Sequence, residues 1–436
     1  MKELNWQKKI PVRIDTDVFV AGGGPAGIAA AVAAAKSGAR VFLAEGLSCL
    51  GGSGTAGLVP MFMEFSNGVD FMAGGVGREI YDRMKAAKGA VLFPNCGESI
   101  NAEIFKRVCD DYLIEHGVEF LLVTQLIDAA TEDGKITAAI LRGKSGIFAV
   151  SAKQFIDCTG DGDLSVMAGA EFEMGDEVQP GTLCTQWAGI DWSRARRDTH
   201  YQLMEQAISD GFMSVPDRHF PGGWQTGKNT MAMNGGHAQG LDGTDERSLT
   251  EAYIYQRKLI TEYGEFYKKY AVGFEDVELV NTAMLIGIRE SRRITGDYQL
   301  NVNDFLNRAI FDDEIGRFSY AVDMHRNATD AEEYERFEKE FRKTLRYKPG
   351  ESYGIPYRAL TVKGLDNLLV AGRCISVDRA VQASIRVMPG CYITGQAAGA
   401  AAALASEESL TTRQIPIKNL QRTLKQMGGF LPNFKE

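Results

Sequence analysis

The chain has 436 residues, 44% hydrophobic and 24% charged, with 57 acidic against 48 basic side chains and a formal net charge of −9. That length allows more than one core, while an acidic chain without a basic block is a poor partner for nucleic acid or an anionic membrane. No apolar run reaches the roughly 18 residues that would span a bilayer, and seven cysteines without a C-x-x-C pair point away from iron–sulfur clusters, zinc ribbons and thioredoxin-like pairs, toward a reducing cytoplasm.

Residues 1–13 are charged and lack an apolar signal core, so they read as a lead-in. Val18–Ala21 is a short apolar strand, followed by Gly22-Gly23-Gly24-Pro25-Ala26-Gly27 and an alanine-rich helix over 28–36. Arg40–Glu45 is a second apolar strand ending in an acid. Strand, G-x-G-x-x-G, helix, strand and acid in this order make a pocket for an adenine dinucleotide. Gly22 permits the tight turn, Gly24 admits the pyrophosphate, and Gly27 allows close helix–strand packing. The helix N-terminus faces the pyrophosphate. Glu45 can accept the ribose hydroxyls, which disfavours NADP. A second glycine loop, Gly51-Gly52-Ser53-Gly54-Thr55, follows directly and suits a larger, extended ligand: a first pointer to FAD.

Apolar spacing predicts a helix over 101–116 and a strand over 118–123. Short strands over 126–130, 136–141 and 147–150, separated by Glu132-Asp133-Gly134 and Gly143–Gly146, read as an antiparallel meander. A buried strand over 155–157 runs into Thr159-Gly160-Asp161-Gly162-Asp163. The character changes between about 173 and 347, where three of the four tryptophans lie and where 245–270 and 328–346 are amphipathic. Dinucleotide-like signals resume at Leu368–Arg373, and Pro389-Gly390 introduces a small-residue helix over 391–404. Its N-terminus is expected at the flavin N1/O2 edge, where reduced flavin is anionic.

These separated motifs resemble the FAD-dependent oxidoreductases of the glutathione-reductase structural class, nearest to the family related to fumarate reductase and succinate dehydrogenase flavoproteins. Arg289–Tyr298 and Tyr353–Arg358 resemble signatures of that family. The resemblance implies an α/β fold: a Rossmann-like FAD-binding domain, a parallel sheet plus small antiparallel meander, with an inserted α+β substrate domain. The expected division is 1–172 and 351–436 for the split FAD-binding domain and 173–350 for the insertion. It also implies FAD contacts at Gly22, Gly24, Pro25, Ala26, Gly27, Glu45, Gly51, Gly52, Ser53, Thr55, Gly160, Asp161, Gly372, Arg373, Arg386, Met388 and Tyr392. Related enzymes can attach FAD to a histidine near the second glycine loop. No histidine precedes position 116, so non-covalent FAD is expected.

For catalysis, Arg289 and Arg292 would share a helical face, and an inward arginine suits a substrate carboxylate. Of five histidines, His237 in Asn234-Gly235-Gly236-His237 is the favoured proton shuttle, ahead of His219; His325 lies beside Arg326 further along. Tyr357 is a second-tier candidate. No metal is expected. The resulting expectation is a cytoplasmic FAD oxidoreductase moving a hydride between flavin N5 and a small, anionic organic substrate, as C=C reduction of the fumarate-reductase kind or the reverse dehydrogenation. The alternatives are an oxygen-using flavin oxidase or monooxygenase, and a non-catalytic electron-transfer flavoprotein. A single G-x-G-x-x-G leaves the electron donor or acceptor unidentified, and composition does not read an oligomeric interface.

Overall fold

The computed structural model describes all residues except 1–2, 5, 94–96, 197–198, 218, 220–222, 327–335, 337–338, 340–344 and 436. The expected amphipathic stretch 328–346 therefore lies largely outside the described residues.

The first strand, β1 (Val12–Ala21), pairs in parallel with β2 (Val41–Ala44) on one side and with the long β6 (Gly146–Asp157) on the other. Beyond β2 lies β3 (Glu119–Leu121), and the second half of β6 pairs in parallel with β13 (Leu368–Val370). The meander β4 (Gln125–Glu132) and β5 (Lys135–Gly143) pairs antiparallel with the first half of β6. The expected strands 147–150 and 155–157 are thus one strand. Polar Ser151, Lys153 and Gln154 break its apolar run in sequence, but β1 pairs alongside this stretch and carries the strand through it, so pairing overrides pattern. The register sets Ala21 beside Ala44 and Asp157, with Val370 also beside Asp157. Gly22, Glu45, the 158–163 loop and Gly372 therefore leave the sheet at one edge, its carboxyl end, where open α/β sheets bind ligands.

Two helices pack unusually closely over this sheet. The first, α1 (Pro25–Lys36), is buried over its first ten residues. The last long helix, α5 (Met388–Glu408), is buried almost throughout. A β-carbon on Gly395 would lie 2.2 Å from the Ala26 carbonyl oxygen, and one on Gly399 would lie 2.1 Å from that of Ala30. Glycine at both positions lets the backbones touch. Between them, α2 (Val76–Ala86) and α3 (Ala102–Glu115) cover the same layer, the latter capped by Asn101.

Residues 183–286 gather a second apolar core. It sits between a small antiparallel sheet, in the order β8 (Gly223–Gln225), β9 (Thr230–Met233), β7 (Thr185–Ala188) and β10 (Glu278–Thr282), and the 25-residue α4 (Glu246–Tyr270). Trp187, Tyr263 and Tyr267 fill it. By contrast Ile294, Leu300, Phe305, Ile315, Phe318 and Val322 join the first core. The hairpin β11 (Glu314–Phe318) and β12 (Tyr353–Pro356) therefore packs with the nucleotide-type sheet. The change of core falls near 286–294, well before the expected 350.

The helix contact yields a direct test. Gly399→Val should cost stability at the upper end of overpacking changes, about 3 kcal/mol. Denaturant unfolding of the variant should show a lowered midpoint with an unchanged slope.

Candidate functional site

The glycines of the first loop divide by cause. A β-carbon on Gly22 would lie 2.7 Å from the Cys158 carbonyl oxygen, and one on Gly27 would lie 1.8 Å from that of Gly22; the fold itself forbids them. On Gly24 it would meet nothing nearer than the Gly52 α-carbon at 4.0 Å, and φ there is −72°. Protein packing and backbone strain leave Gly24 free, so space for a ligand is what a side chain there would fill.

Around that space the donors are unspent. Helix α1 begins after Gly24 with no side-chain cap and no acid in its first turn, and α5 begins after Val387 in the same way. Each end carries roughly half a positive charge. Glu45 is buried and accepts from Gly23 N at 2.7 Å and Leu47 N at 2.8 Å. Both oxygens keep a lone pair for ribose hydroxyls. Burial pushes this carboxyl up, against those two backbone bonds. Thr55 Oγ1 ties the second glycine loop to Leu50 O at 2.5 Å, while Gly51 and Gly52 take φ of 96° and 51°. Asp157, which is fully buried, holds the next loop: it accepts from Thr159 and Ser165 through both their backbone N–H groups and hydroxyls.

Arg373 donates to Asp161 Oδ1 at 2.8 Å and Ser291 Oγ at 2.7 Å. Arg292 lies on the same loop, 2.9 Å from Asp163 Oδ1, with Phe172 beneath it. Burial and the Asp161 and Asp157 charges push Asp163 up to about 6, against the pull of Arg292. Tyr392 turns its ring into the core, near Phe62 and stacked on Phe65. Met388 Sδ packs where a Gly54 β-carbon would be, at 3.0 Å. These two expected contacts are therefore side chains of the core. Tyr357 is likewise buried, donating to Thr412 O at 2.7 Å.

The expected arginine helix is absent. Residues 283–292 are irregular and lead into the two-residue strand Arg293–Ile294, because buried polar partners claim the backbone and side chains in turn. Arg293 pairs with the fully buried Glu290, which also receives Arg379 Nε and Gln179 N. Arg289 goes elsewhere. It is 5% exposed and donates to Pro180 O, Thr182 Oγ1, His219 Nε2 and, at 3.4 Å, Asn234 Oδ1. All are neutral acceptors; among the described residues no carboxylate is within ion-pair distance. Burial, aided by the Arg386 charge, lowers its pKa to about 10.

Beside Arg289 three histidines converge. His219 and His237 stack at 4.2 Å with rings 10° apart. His237 Nε2 and His325 Nδ1 are 3.0 Å apart. The outer nitrogens face acids: His237 Nδ1 lies 3.2 Å from Asp217 Oδ2, and His325 Nε2 lies 3.5 Å from Asp323 Oδ2. Arg386, immediately before α5, donates to Asp323 O at 2.7 Å. The nest therefore adjoins the free N-terminus of α5. Arg292 takes no part in it, whereas His219, placed second to His237 in sequence, and His325, given no role there, both belong to it. Asp217 and Asp323 were not singled out, although each opens an Asp-x-His triplet (217–219 and 323–325). The three imidazoles have ligand atoms within 4.8 Å of one another. Stacked rings, however, aim their lone pairs in parallel, and Arg289 sits 3.1 Å from His219 Nε2. This geometry suits an anion better than a cation.

The family model for FAD dependent oxidoreductases matches residues 17–424. The chain belongs to that family. The protein is therefore an FAD-dependent oxidoreductase. A search of curated proteins returned no match. Similar solved structures include a geranylgeranyl bacteriochlorophyll reductase-like protein from Thermoplasma acidophilum, at 14% identity over 95% of this chain and 84% of that one, with a TM-score of 0.48. A flavin-dependent brominase follows at 12%, over 94% and 83%, with a TM-score of 0.48. A p-nitrophenol 4-monooxygenase from Pseudomonas putida DLL-E4 follows at 15%, over 66% and 70%, with a TM-score of 0.42. Likeness this distant carries no argument about activity. None of these three is a fumarate reductase, and the family match is to FAD-dependent oxidoreductases as a whole; the narrower kinship expected from sequence is not shown. Among the described residues no helix is long and apolar enough to cross a membrane.

Gly24 separates folding from cofactor binding. Gly24→Val should fold with a near-native melting temperature yet hold FAD at least about tenfold more weakly, or about 1.4 kcal/mol. Flavin absorbance retained after desalting reads this out. Gly27→Ala, which meets a carbonyl oxygen, should instead fail to accumulate as folded protein.

Proposed function

We propose that this oxidoreductase exchanges electrons between FAD and a small organic anion seated against Arg289. The observation that carries this reading is a buried guanidinium whose hydrogen-bond partners among the described residues are all neutral. A buried cation left in this state is costly, and a carboxylate would satisfy it with charge-assisted bonds. Arg386 adds a second, mostly buried guanidinium nearby, with its Nε unbonded. Bound FAD supplies the hydride acceptor or donor at N5. The chain's own groups do the rest. Arg289 and Arg386 hold and orient the anion. The histidines beside them, of which His237 and His325 are buried, move a proton. Burial of those two rings restricts water.

The cradle supports non-covalent FAD: the thiols beside it, Cys49, Cys158 and Cys391, are buried, and burial raises the pKa of each. The residues 183–286, with their own core and the loops carrying His219 and His237, are the natural substrate side. Nothing in the nest singles out a C=C bond over a C–OH group. The reading is accordingly set at the level of a small anionic substrate, without the fumarate-like specificity expected from sequence.

The test is anaerobic. The purified enzyme is reduced, and a panel of unsaturated acids, oxo acids and ketones is screened for reoxidation of the flavin; the reverse panel of hydroxy and saturated acids is screened for its reduction. Acids should act and neutral analogues should not. Arg289→Gln should raise KM for the active acid by about 10–100-fold, the worth of a charge-assisted bond, with FAD content unchanged. Fast reoxidation by air, with stoichiometric peroxide or a hydroxylated product, would replace this reading with the oxygen-using one.

A further inference from the structure

We propose that Gln179 is a substrate-binding residue of the anion seat, and that with Arg386 it selects acids carrying a carbonyl oxygen next to the carboxylate, the α-oxo acids. This deepens the reading of Arg289 as the anion seat and rests on it.

Gln179 is 2% exposed and is tied into the wall of the nest. Its backbone N–H donates to Glu290 Oε2 at 3.0 Å, and its side-chain Oε1 accepts from His325 N at 3.0 Å. The next residue, Pro180, gives its carbonyl oxygen to Arg289. The amide is thus held between the segment that carries Arg289 and the segment that carries His325. Its orientation is fixed as well. A backbone N–H only donates, so the atom against His325 N is the oxygen and the other is the NH2 group. That nitrogen, Nε2, is buried and has no acceptor among the described residues.

A second donor nearby is in the same state. Arg386 Nη2 donates to Asp323 O at 2.7 Å and lies 3.5 Å from Asp323 Oδ2, while its Nε is buried without an acceptor among the described residues. Gln179 and Arg386 are therefore anchored on one stretch, 323–325, whose two residue steps span at most about 7 Å. A buried N–H without an acceptor carries its full desolvation penalty. Two of them on one short stretch beside Arg289 point to an acceptor that arrives with the ligand.

The chemistry of that acceptor follows from the donors. Arg289, with only neutral partners, takes the carboxylate. Gln179 Nε2 and Arg386 Nε can only donate, so the second group must accept. A carbonyl oxygen has two lone pairs, one for each donor, and in an α-oxo acid it lies directly beside the carboxylate. A methylene in its place brings no acceptor. An ammonium brings only donors, next to two guanidiniums. Either leaves the buried amide unpaired, and an unpaired buried polar group is a strong means of rejection.

The oxidised, FAD-loaded enzyme is titrated with pyruvate, propionate and alanine by calorimetry. Pyruvate should bind about 30-fold more tightly than propionate, the worth of two hydrogen bonds, and alanine should not bind. Gln179→Met removes one of the two bonds and should cut that ratio about fivefold, through pyruvate alone. If neither acid binds, or if binding survives Arg289→Gln, the anion seat is overturned and this proposal with it. Binding that needs Arg289 but shows no preference for pyruvate overturns the proposal and leaves the seat standing, with water as the partner of Gln179. Alanine binding as tightly as propionate, or a ratio unchanged in Gln179→Met, does the same. So does an equal loss of both acids in that variant, which marks a purely structural glutamine. Infrared spectroscopy of the native holoenzyme needs no variant. The carbonyl stretch of bound, isotope-labelled pyruvate should fall below its value in water, and a band at or above that value overturns the proposal.

Discussion

The architecture depends on one contact: two parallel helices touching backbone to backbone, glycine against carbonyl. Ala26 and Ala30 of α1 meet Gly395 and Gly399 of α5, so both helices advance in step. But α5 starts seven residues before Gly395, while α1 starts one residue before Ala26. At about 1.5 Å of rise per residue, the N-terminus of α5 reaches about 9 Å further than that of α1. One contact thereby sets two positively polarised helix ends at a fixed separation along one line. The first faces the glycine loops and the second faces Arg386 and the histidine nest. A ligand with an anionic middle and a second electron-rich end fits such a ruler, as an adenine dinucleotide with a flavin head does. Any side chain at Gly395 or Gly399 would change the spacing or lose it.

The sheet supplies the complementary constraint. Parallel pairing of β2, β1, β6 and β13 ends all four strands at one edge, and each then delivers a different part: Glu45, the glycine turn, the Asp157-braced loop and Gly372-Arg373. Asp157 matters here because it carries no ligand-facing role of its own. A fully buried carboxylate with four donors from Thr159 and Ser165 is a local anchor, and Gly160, Asp161 and Asp163 hang from it. Arg373 and Arg292 then neutralise the acids that this loop brings in.

The cofactor half was readable in sequence because its requirements are local. Glycines at fixed spacing, short apolar strands and small-residue helices each state their reason within a dozen residues, and α1 begins at the expected Pro25. Where the reading failed, the cause was non-local. Strand β6 is continuous because β1 pairs with its polar stretch. Residues 283–292 abandon the helical spacing of Arg289 and Arg292 because Glu290, Thr182 and Asp163 draw successive side chains in different directions. Tyr392, placed beside a cofactor by its motif, points into an aromatic cluster built from residues more than 300 positions away. The histidine nest draws on positions 217, 219, 237, 289, 323, 325 and 386, and no periodicity links them.

Charge decides what the nest can hold. Arg289 and Arg386 bring two positive charges, and Asp217 and Asp323 bring two negative ones. The acids, however, lie on the outer nitrogens of His237 and His325, whereas Arg289 spends its hydrogen bonds on neutral oxygens and a ring nitrogen. The balance is thus even in sum but uneven in place: positive where Arg289 stands, negative behind the imidazoles. A divalent cation among the rings would add charge on the positive side, next to Arg289. A small anion on Arg289 would remove the unevenness and leave the carboxylates with a surplus. Anion binding beside Arg289 is in this sense an electrostatic adjustment made next to the uncapped N-terminus of α5.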